Sequence, residues 1–231
     1  MGPIPGIVNS ARTLALYAKL QEVTANNIAN ANTPGFKADR LTAALLGQDE
    51  MQTPVPIRSV DLAQGPFRET GRSLDVGLDG QGFLVVQTPQ GERLIRGGSL
   101  KLDGAGQLTD GEGNVVQGDG GPLVLTGGEV EIRTDGSVLA GGASVGRLRV
   151  VTVADPASLL KEAAGRFIAS EPLQPVEGVQ VRQGAIEEAN LDPIRSMVDM
   201  ITIQRAFAAN MDALKAMDSI LGAVTSEVGK V

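Results

Sequence analysis

Ala25-Asn26-Asn27-Ile28-Ala29-Asn30-Ala31-Asn32-Thr33-Pro34-Gly35-Phe36-Lys37 closes a long amphipathic segment near the start of the chain. Within that segment Ile7, Ala11, Leu14, Ala18, Gln21, Ala25 and Ile28 recur at alternating steps of four and three. This spacing is the seam of a coiled coil, narrow and mostly small-sided. Asn26, Asn27, Asn30 and Asn32 carry amides that compete with backbone pairing and so cost helicity. They make sense where the amides fix register against a partner or cap a helix end; an ordinary helix end inside an intramolecular bundle is the alternative. Pro34-Gly35 stops the helix.

The far end of the chain mirrors this one. In Asn190-Leu191-Asp192-Pro193, Asp192 is a candidate N-cap and Pro193 takes the first helical position, where its missing N–H costs nothing. Ile194, Met197, Ile201, Gln204, Ala208, Met211, Leu214, Met217, Leu221, Val224 and Val228 follow at steps of three and four. At 1.5 Å per residue the second helix reaches about 50 Å and the first about 35 Å. A second apolar edge runs along each, Leu16, Leu20 and Val23 on one and Val198, Ile203, Phe207 and Ile220 on the other. These edges are read as meeting other subunits, with packing on the β domain as the alternative. A narrow stripe of modest side chains does not offset the entropy of ordering its backbone, so the first helix frays when isolated. Residues 7–37 carry Arg12, Lys19 and Lys37 against Glu22, whereas residues 187–231 are net acidic. Pairing of the two, antiparallel or parallel, is therefore electrostatically mild and favourable.

Glycine marks what lies between. None of the 30 falls between Gly6 and Gly35 or between Gly184 and Gly222, and about two-thirds fall between Gly77 and Gly146. There they separate short apolar runs: 74–78, 83–87, 93–95, 100–102, 115–116, 123–125, 129–132 and 147–153. Asp-Gly pairs at 79–80, 103–104, 110–111, 119–120 and 135–136 are tight-turn candidates. The Pro-containing stretches 53–57 and 171–175 border this region as connectors or edge segments. The expected class is α+β, with long terminal helices forming a coiled-coil-like assembly domain and a central mainly-β domain, a sandwich or partly open barrel. The expected division is 1–37 with 186–231 for the helical part, 38–73 with 170–185 for an extended connector subdomain, and 74–169 for the β domain.

Composition removes whole classes of function. With 231 residues the chain can bury a core, yet aromatic residues make up 3% and Trp is absent. A net charge of −7 with no basic run argues against nucleic acid. Neither Cys nor His occurs, which excludes disulfides, thiolate and imidazole metal sites, and Ser-His-Asp triads. Asp110, Glu112 and Asn114 stand at calcium-loop spacing, but Val115 holds the glycine position and Gly121 the position of the bidentate Glu. No phosphate loop occurs, and Tyr17 alone offers no sugar-stacking platform for a glycosidase. No apolar run reaches membrane-spanning length, and Met1-Gly2-Pro3-Ile4-Pro5-Gly6 lacks the charged n-region of a Sec signal. No enzyme and no cofactor are expected.

The opening stretch, from Asn26 to Lys37, resembles the N-terminal signature of bacterial flagellar rod and hook proteins. Leu74-Asp75-Val76-Gly77-Leu78-Asp79-Gly80-Gln81-Gly82-Phe83-Leu84-Val85-Val86 resembles that family's entrance to its β domain. Arg96-Gly97-Gly98-Ser99-Leu100 resembles its Arg-x-Gly-Ser/Asn-aromatic turn, with leucine in the aromatic position. Gln183-Gly184-Ala185-Ile186-Glu187-Glu188-Ala189-Asn190-Leu191-Asp192-Pro193, then Met197-Val198 and Gln204-Arg205-Ala206-Phe207, resemble the C-terminal assembly helix and its lead-in. The chain departs from the family at Ala189 (usually Ser), Asp192 (often Asn) and Leu84 (often Phe). The short 38–72 region and the modest β domain favour a rod subunit over a hook subunit; Gly121-Pro122-Leu123-Val124-Leu125, followed by Val130-Glu131-Ile132 and Asp135-Gly136, resembles the proximal-rod type, with the distal-rod type as the alternative.

The resemblance implies a structural subunit of a hollow, torque-transmitting shaft across the periplasm. It also implies export by the flagellar type III apparatus without a cleaved signal, and partners that are copies of the chain and homologous rod proteins. The residues expected to make subunit contacts are the two stripes with Asn26, Asn27, Asn30, Asn32, Pro34, Gly35, Phe36, Asn190, Arg205 and Phe207. From another class, an exported β-rich adhesin is the remaining alternative.

Overall fold

The computed structural model describes residues 5–46, 53–162, 165–176 and 178–228. Met1-Gly2-Pro3-Ile4 of the N-terminal stretch, and the side chains of Val224 and Val228, lie outside the described residues. Helices α1 (Pro5–Ala29) and α2 (Pro193–Val228) bracket a region of short strands, so the chain is α+β as its sequence predicts. The strand pairings described are antiparallel. The chain divides into two compact units: one holds α1, α2 and Asp39–Arg58, the other Asn30–Ala38 and Ser59–Leu191.

In the first unit α1 and α2 pack on each other. A Cβ built on Gly6 would lie 4.0 Å from Met217 Sδ, so the start of α1 runs beside the second half of α2. A parallel pair in that register would carry α1 beyond the end of α2, and the pairing is therefore antiparallel. Asp192 caps α2 as expected, its Oδ1 accepting from Ile194 N at 2.9 Å and Arg195 N at 3.2 Å. Asp39–Leu46 and Thr53–Val60 form a two-stranded sheet. Pro54 and Pro56 alternate along the second strand, so both missing N–H groups fall on one edge.

The helical seam differs from the one the spacing predicts. On α1 the row Leu16, Leu20, Val23 and Asn27 is half-buried or buried, whereas Ala11, Ala18 and Ala25 are exposed. On α2 the half-buried row is Ser196, Met200, Ile203, Phe207, Asn210, Leu214 and Leu221, while Ile194, Met197 and Ile201 are exposed. On α1 the row read as a second edge thus faces inward, whereas on α2 only Ile203 and Phe207 of that edge do, Val198 and Ile220 being 56% and 62% exposed. The larger side chains decide this, because Leu20 or Phe207 removes far more apolar area from water than an alanine does. A 3.5-residue pattern laid on a 3.6-residue helix also drifts by about 20° per heptad, which is why Leu214 and Leu221 belong to both rows.

In the second unit Phe83–Thr88 lies at the centre of a ten-stranded sheet, between Gly91–Ile95 and Val115–Gly118. It is buried on both faces. Leu84 and Val86 enter one apolar cluster with Val76, Leu78, Leu108, Val116 and Leu148. Phe83 and Val85 enter another with Leu94, Val151, Leu159 and Phe167. The Phe83 and Phe167 rings meet edge-on at 5.5 Å. Phe167→Ala, at a site with 0% exposure, is expected to cost about 3–5 kcal/mol in urea unfolding; a cost under 1 kcal/mol would contradict this packing.

Several local expectations shift. Residues 123–125 are not a strand, although Leu123 and Leu125 are buried; a single bridge ties Val124 to Gln107. Residues 147–153 split between Ala143–Arg147 and Val150–Thr152. The stretch 170–185, read as a connector, supplies Gln174–Pro175 and Gln180–Gln183, paired with Val150–Thr152 and Asp75–Asp79. The turns at 103–107, 110–114 and 133–137 share one backbone pattern, in which the first N–H donates to the fifth carbonyl and the fourth N–H to the first. Their fourth residues, Gly106, Gly113 and Gly136, have φ of 78°, 88° and 87°. At 103 and 110 the glycine next to Asp is therefore not the left-handed one. Asp opens the turn instead, accepting from the N–H groups two and four residues on.

Candidate functional site

Two groups of residues bear on the expected assembly role, one in each unit. The first is the outward face of the helices. Ile194, Met197, Val198 and Ile201 are 75%, 51%, 56% and 50% exposed, on adjacent turns of α2. Gln204, Arg205, Ala208 and Met217 are exposed with them, whereas Met211, Leu214, Phe207 and Leu221 are half-buried. On α1 the exposed row is Ala11, Ala15, Ala18, Glu22, Ala25 and Ala29; Ile7, Leu14 and Ile28 are half-buried. Asn26 is exposed, and Asn27 turns to its own chain. The Asn27 amide donates to Asp39 O at 2.8 Å and accepts from Asp39 N at 2.9 Å, copying a strand partner. Arg58 pairs with the Asp39 carboxylate at 2.7 Å, which holds its guanidinium above its ordinary value.

The second group gathers three of the sequence signatures around one carboxylate. Thr33-Pro34-Gly35-Phe36 makes a tight turn closed by Phe36 N donating to Thr33 O, with Gly35 at φ 66°. Asn32 and Pro34 are exposed and Asn30 is half-buried, while Phe36 and Lys37 are buried. Lys37 Nζ donates to Glu187 Oε1 at 2.6 Å and to Ala63 O at 2.8 Å. Burial pushes the Lys37 ammonium below its ordinary value, and Glu187 pulls it partly back. Arg96 meets the other oxygen, Glu187 Oε2, at 2.9–3.0 Å. Its remaining N–H groups donate to the carbonyls of Leu78, Gly80 and Gly82. Gly65 N donates to Glu187 Oε1 at 2.9 Å.

Asn190 completes the junction. Its Oδ1 accepts from Ala38 N at 2.8 Å, and its Nδ2 donates to Asp61 O and Ala63 O at 2.7 and 3.0 Å. Lys161 Nζ sits 3.5 Å from the Phe36 ring centroid and donates to Lys37 O. Asn190 and Phe36, expected at subunit contacts, are thus engaged inside the chain. Lys37, Arg96 and Glu187 are not among the residues that the sequence marks for assembly; each lies within one of the family-like blocks, but Glu188 and Asp192 stand in the same block as Glu187, so charge alone does not distinguish it. Gly35→Ala is expected to loosen the junction. The left-handed backbone alone costs about 1–2 kcal/mol, and the new Cβ would stand 3.1 Å from Arg96 Cβ. Unchanged thermal stability of that variant would contradict this reading.

The calcium-like spacing at 110–114 has a different use. Asp110 Oδ1 accepts from Glu112 N and Asn114 N, and Oδ2 from Asn114 Nδ2, so the carboxylate builds a turn. No described helix is long and apolar enough to cross a membrane.

Comparison with known proteins gives three family matches in chain order. Residues 7–37 match the flagella basal body rod protein model, and residues 77–140 the flagellar hook protein FlgE/F/G D1 domain. Residues 182–227 match the flagellar basal body rod FlgEFG protein C-terminal model. The chain is 30% identical to the flagellar basal-body rod protein FlgF of Caulobacter vibrioides, over 97% of each chain. It is 32% identical to FlgF of Escherichia coli, covering 87% of this chain and 89% of that one. It is 28% identical to the flagellar basal-body rod protein FlgG of Bacillus subtilis, covering 87% and 90%.

Proposed function

The chain belongs to the bacterial flagellar basal-body rod protein family and is a structural rod subunit, not an enzyme, and from that premise we propose that it polymerises through the outward faces of α1 and α2. One observation carries this: Ile194, Met197, Val198 and Ile201 form a contiguous apolar face that the described part of the chain leaves at least half exposed. Its partners are copies of the chain and homologous rod proteins. The assembly part, expected over residues 1–37 with 186–231, packs its helices α1 and α2 in coiled-coil-like fashion, and the central strands make a sandwich-like domain of their own. The contact is heterologous, so that it does not close and a hollow helical shaft grows from it. Stiff interlocked helices suit torque transmission.

A position in the proximal part of the rod is supported by three FlgF proteins at 30–33% identity, whereas the FlgG relatives reach 29% at most, a level that two further FlgF proteins share. Membership of the rod protein family supports a periplasmic position and export through the flagellar type III apparatus. Part of the ordering entropy of the chain ends is then met on incorporation, which suppresses polymerisation before export. Deleting residues 1–30 is expected to abolish tube formation seen by electron microscopy while the β unit keeps its circular dichroism. Tubes formed by the truncated chain would contradict the proposal.

A further inference from the structure

The ion cluster Lys37–Glu187–Arg96 places one carboxylate between two cations whose side chains are 0–3% exposed. We propose that Glu187 is a latch that lets the segment Thr33–Ala38 dock only after residues 187–190 are in place, so the C-terminal flank closes first and the N-terminal flank second. The order follows from which bonds depend on which segment.

Arg96 is set by the β unit itself. Its Nη atoms are held by the carbonyls of Leu78, Gly80 and Gly82, so the guanidinium is in position once those strands have formed. Residues 185–187 likewise reach their place without the N-terminal segment. Ala185–Glu187 pairs with Phe67–Glu69, and the Glu187 carboxylate finds Arg96 and Gly65 N there. Docking of these residues is satisfied with Lys37 absent.

The converse does not hold. Gly35 N donates to Glu187 O, Ala38 N to Asn190 Oδ1, and Phe36 O accepts from Asn190 N. Without residues 187–190 the buried N–H groups of Gly35 and Ala38 lose these acceptors. Lys37 would also bring an ammonium into a dry site already holding a guanidinium, and like charges there repel strongly. The repulsion from Arg96 is felt by Lys37 even with Glu187 present. A chain whose C-terminal flank has not arrived therefore keeps the segment that follows α1 undocked. This ordering belongs to the single chain and stands whether or not the helices polymerise.

Hydrogen exchange on the full-length monomer tests it. Glu187→Gln is expected to speed exchange at Gly35 and Ala38 about a hundredfold, the lower end of what breaking a buried pair does. Amides of Leu84, Val86, Leu94 and Leu108 are expected to change clearly less than those of Gly35 and Ala38, since the flank opens without the core. In a Lys37→Met background the same substitution is expected to have a much smaller effect, since only one cation then needs the carboxylate. Lys37→Met alone is expected to leave residues 185–187 protected. Four results would each overturn the latch: unchanged exchange at Gly35 and Ala38, loss of protection across the core up to failure to fold, an undiminished effect in the Lys37→Met background, or equal loosening of 185–187 by Lys37→Met.

Discussion

Arg96→Met is expected to destabilise the β unit by about 3–5 kcal/mol in urea unfolding, the cost of removing one partner of a buried ion pair. Three backbone carbonyls, those of Leu78, Gly80 and Gly82, lose their donor together with the Glu187 carboxylate. Methionine fills similar volume, so the loss is polar in origin rather than a cavity. Lys37→Met is expected to cost clearly less, because Glu187 retains Arg96 and Gly65 N while Lys37 gives up only Ala63 O and one shared oxygen. An Arg96→Met variant no less stable than Lys37→Met would show that the cluster is not centred where these bonds place it.

Met197→Asp with Ile201→Asp is expected to abolish incorporation into the rod, and with it motility, while leaving the monomer within about 1 kcal/mol of the parent. The two positions are 51% and 50% exposed, so the single chain tolerates charge there. Exposed substitutions away from special features cost within about 0.5 kcal/mol each. Between subunits the same carboxylates would be buried without partners, at several kcal/mol apiece. Normal motility from the double variant would remove this face from the assembly surface.

How much of this was legible in the residues varies by level. The two helices, the β-rich middle and the Asp192 cap followed from spacing, glycine distribution and one Asp-Pro pair. The choice of seam did not, because alanine at Ala11, Ala18 and Ala25 satisfies a heptad pattern without the area to compete with Leu16, Leu20 and Val23. The Phe83–Thr88 strand showed only moderate alternation because both of its faces are buried, Leu84 and Val86 in one cluster and Phe83 and Val85 in the other. The two-stranded sheet of Asp39–Leu46 and Thr53–Val60 was only half legible, because Pro54 and Pro56 read equally as a connector or as an edge segment.

The junction was the hardest to see. Lys37, Arg96 and Glu187 are far apart in sequence, and nothing in local spacing says that three charged side chains share one buried site. Asn27 and Asn190 are expected at subunit contacts, but a side-chain amide carries no mark of whether its partner is another subunit or, as here, the chain's own backbone at Asp39, Ala38, Asp61 and Ala63.

The parent chain has no cysteine, so a single thiol reports without background. Val198→Cys, at a position 56% exposed, is expected to react rapidly with a maleimide in the dilute monomer and to be strongly protected in isolated basal bodies that contain the variant. Equal labelling in the two states would mean that the outward face of α2 stays in solvent after assembly, and the account of how this subunit polymerises would fail.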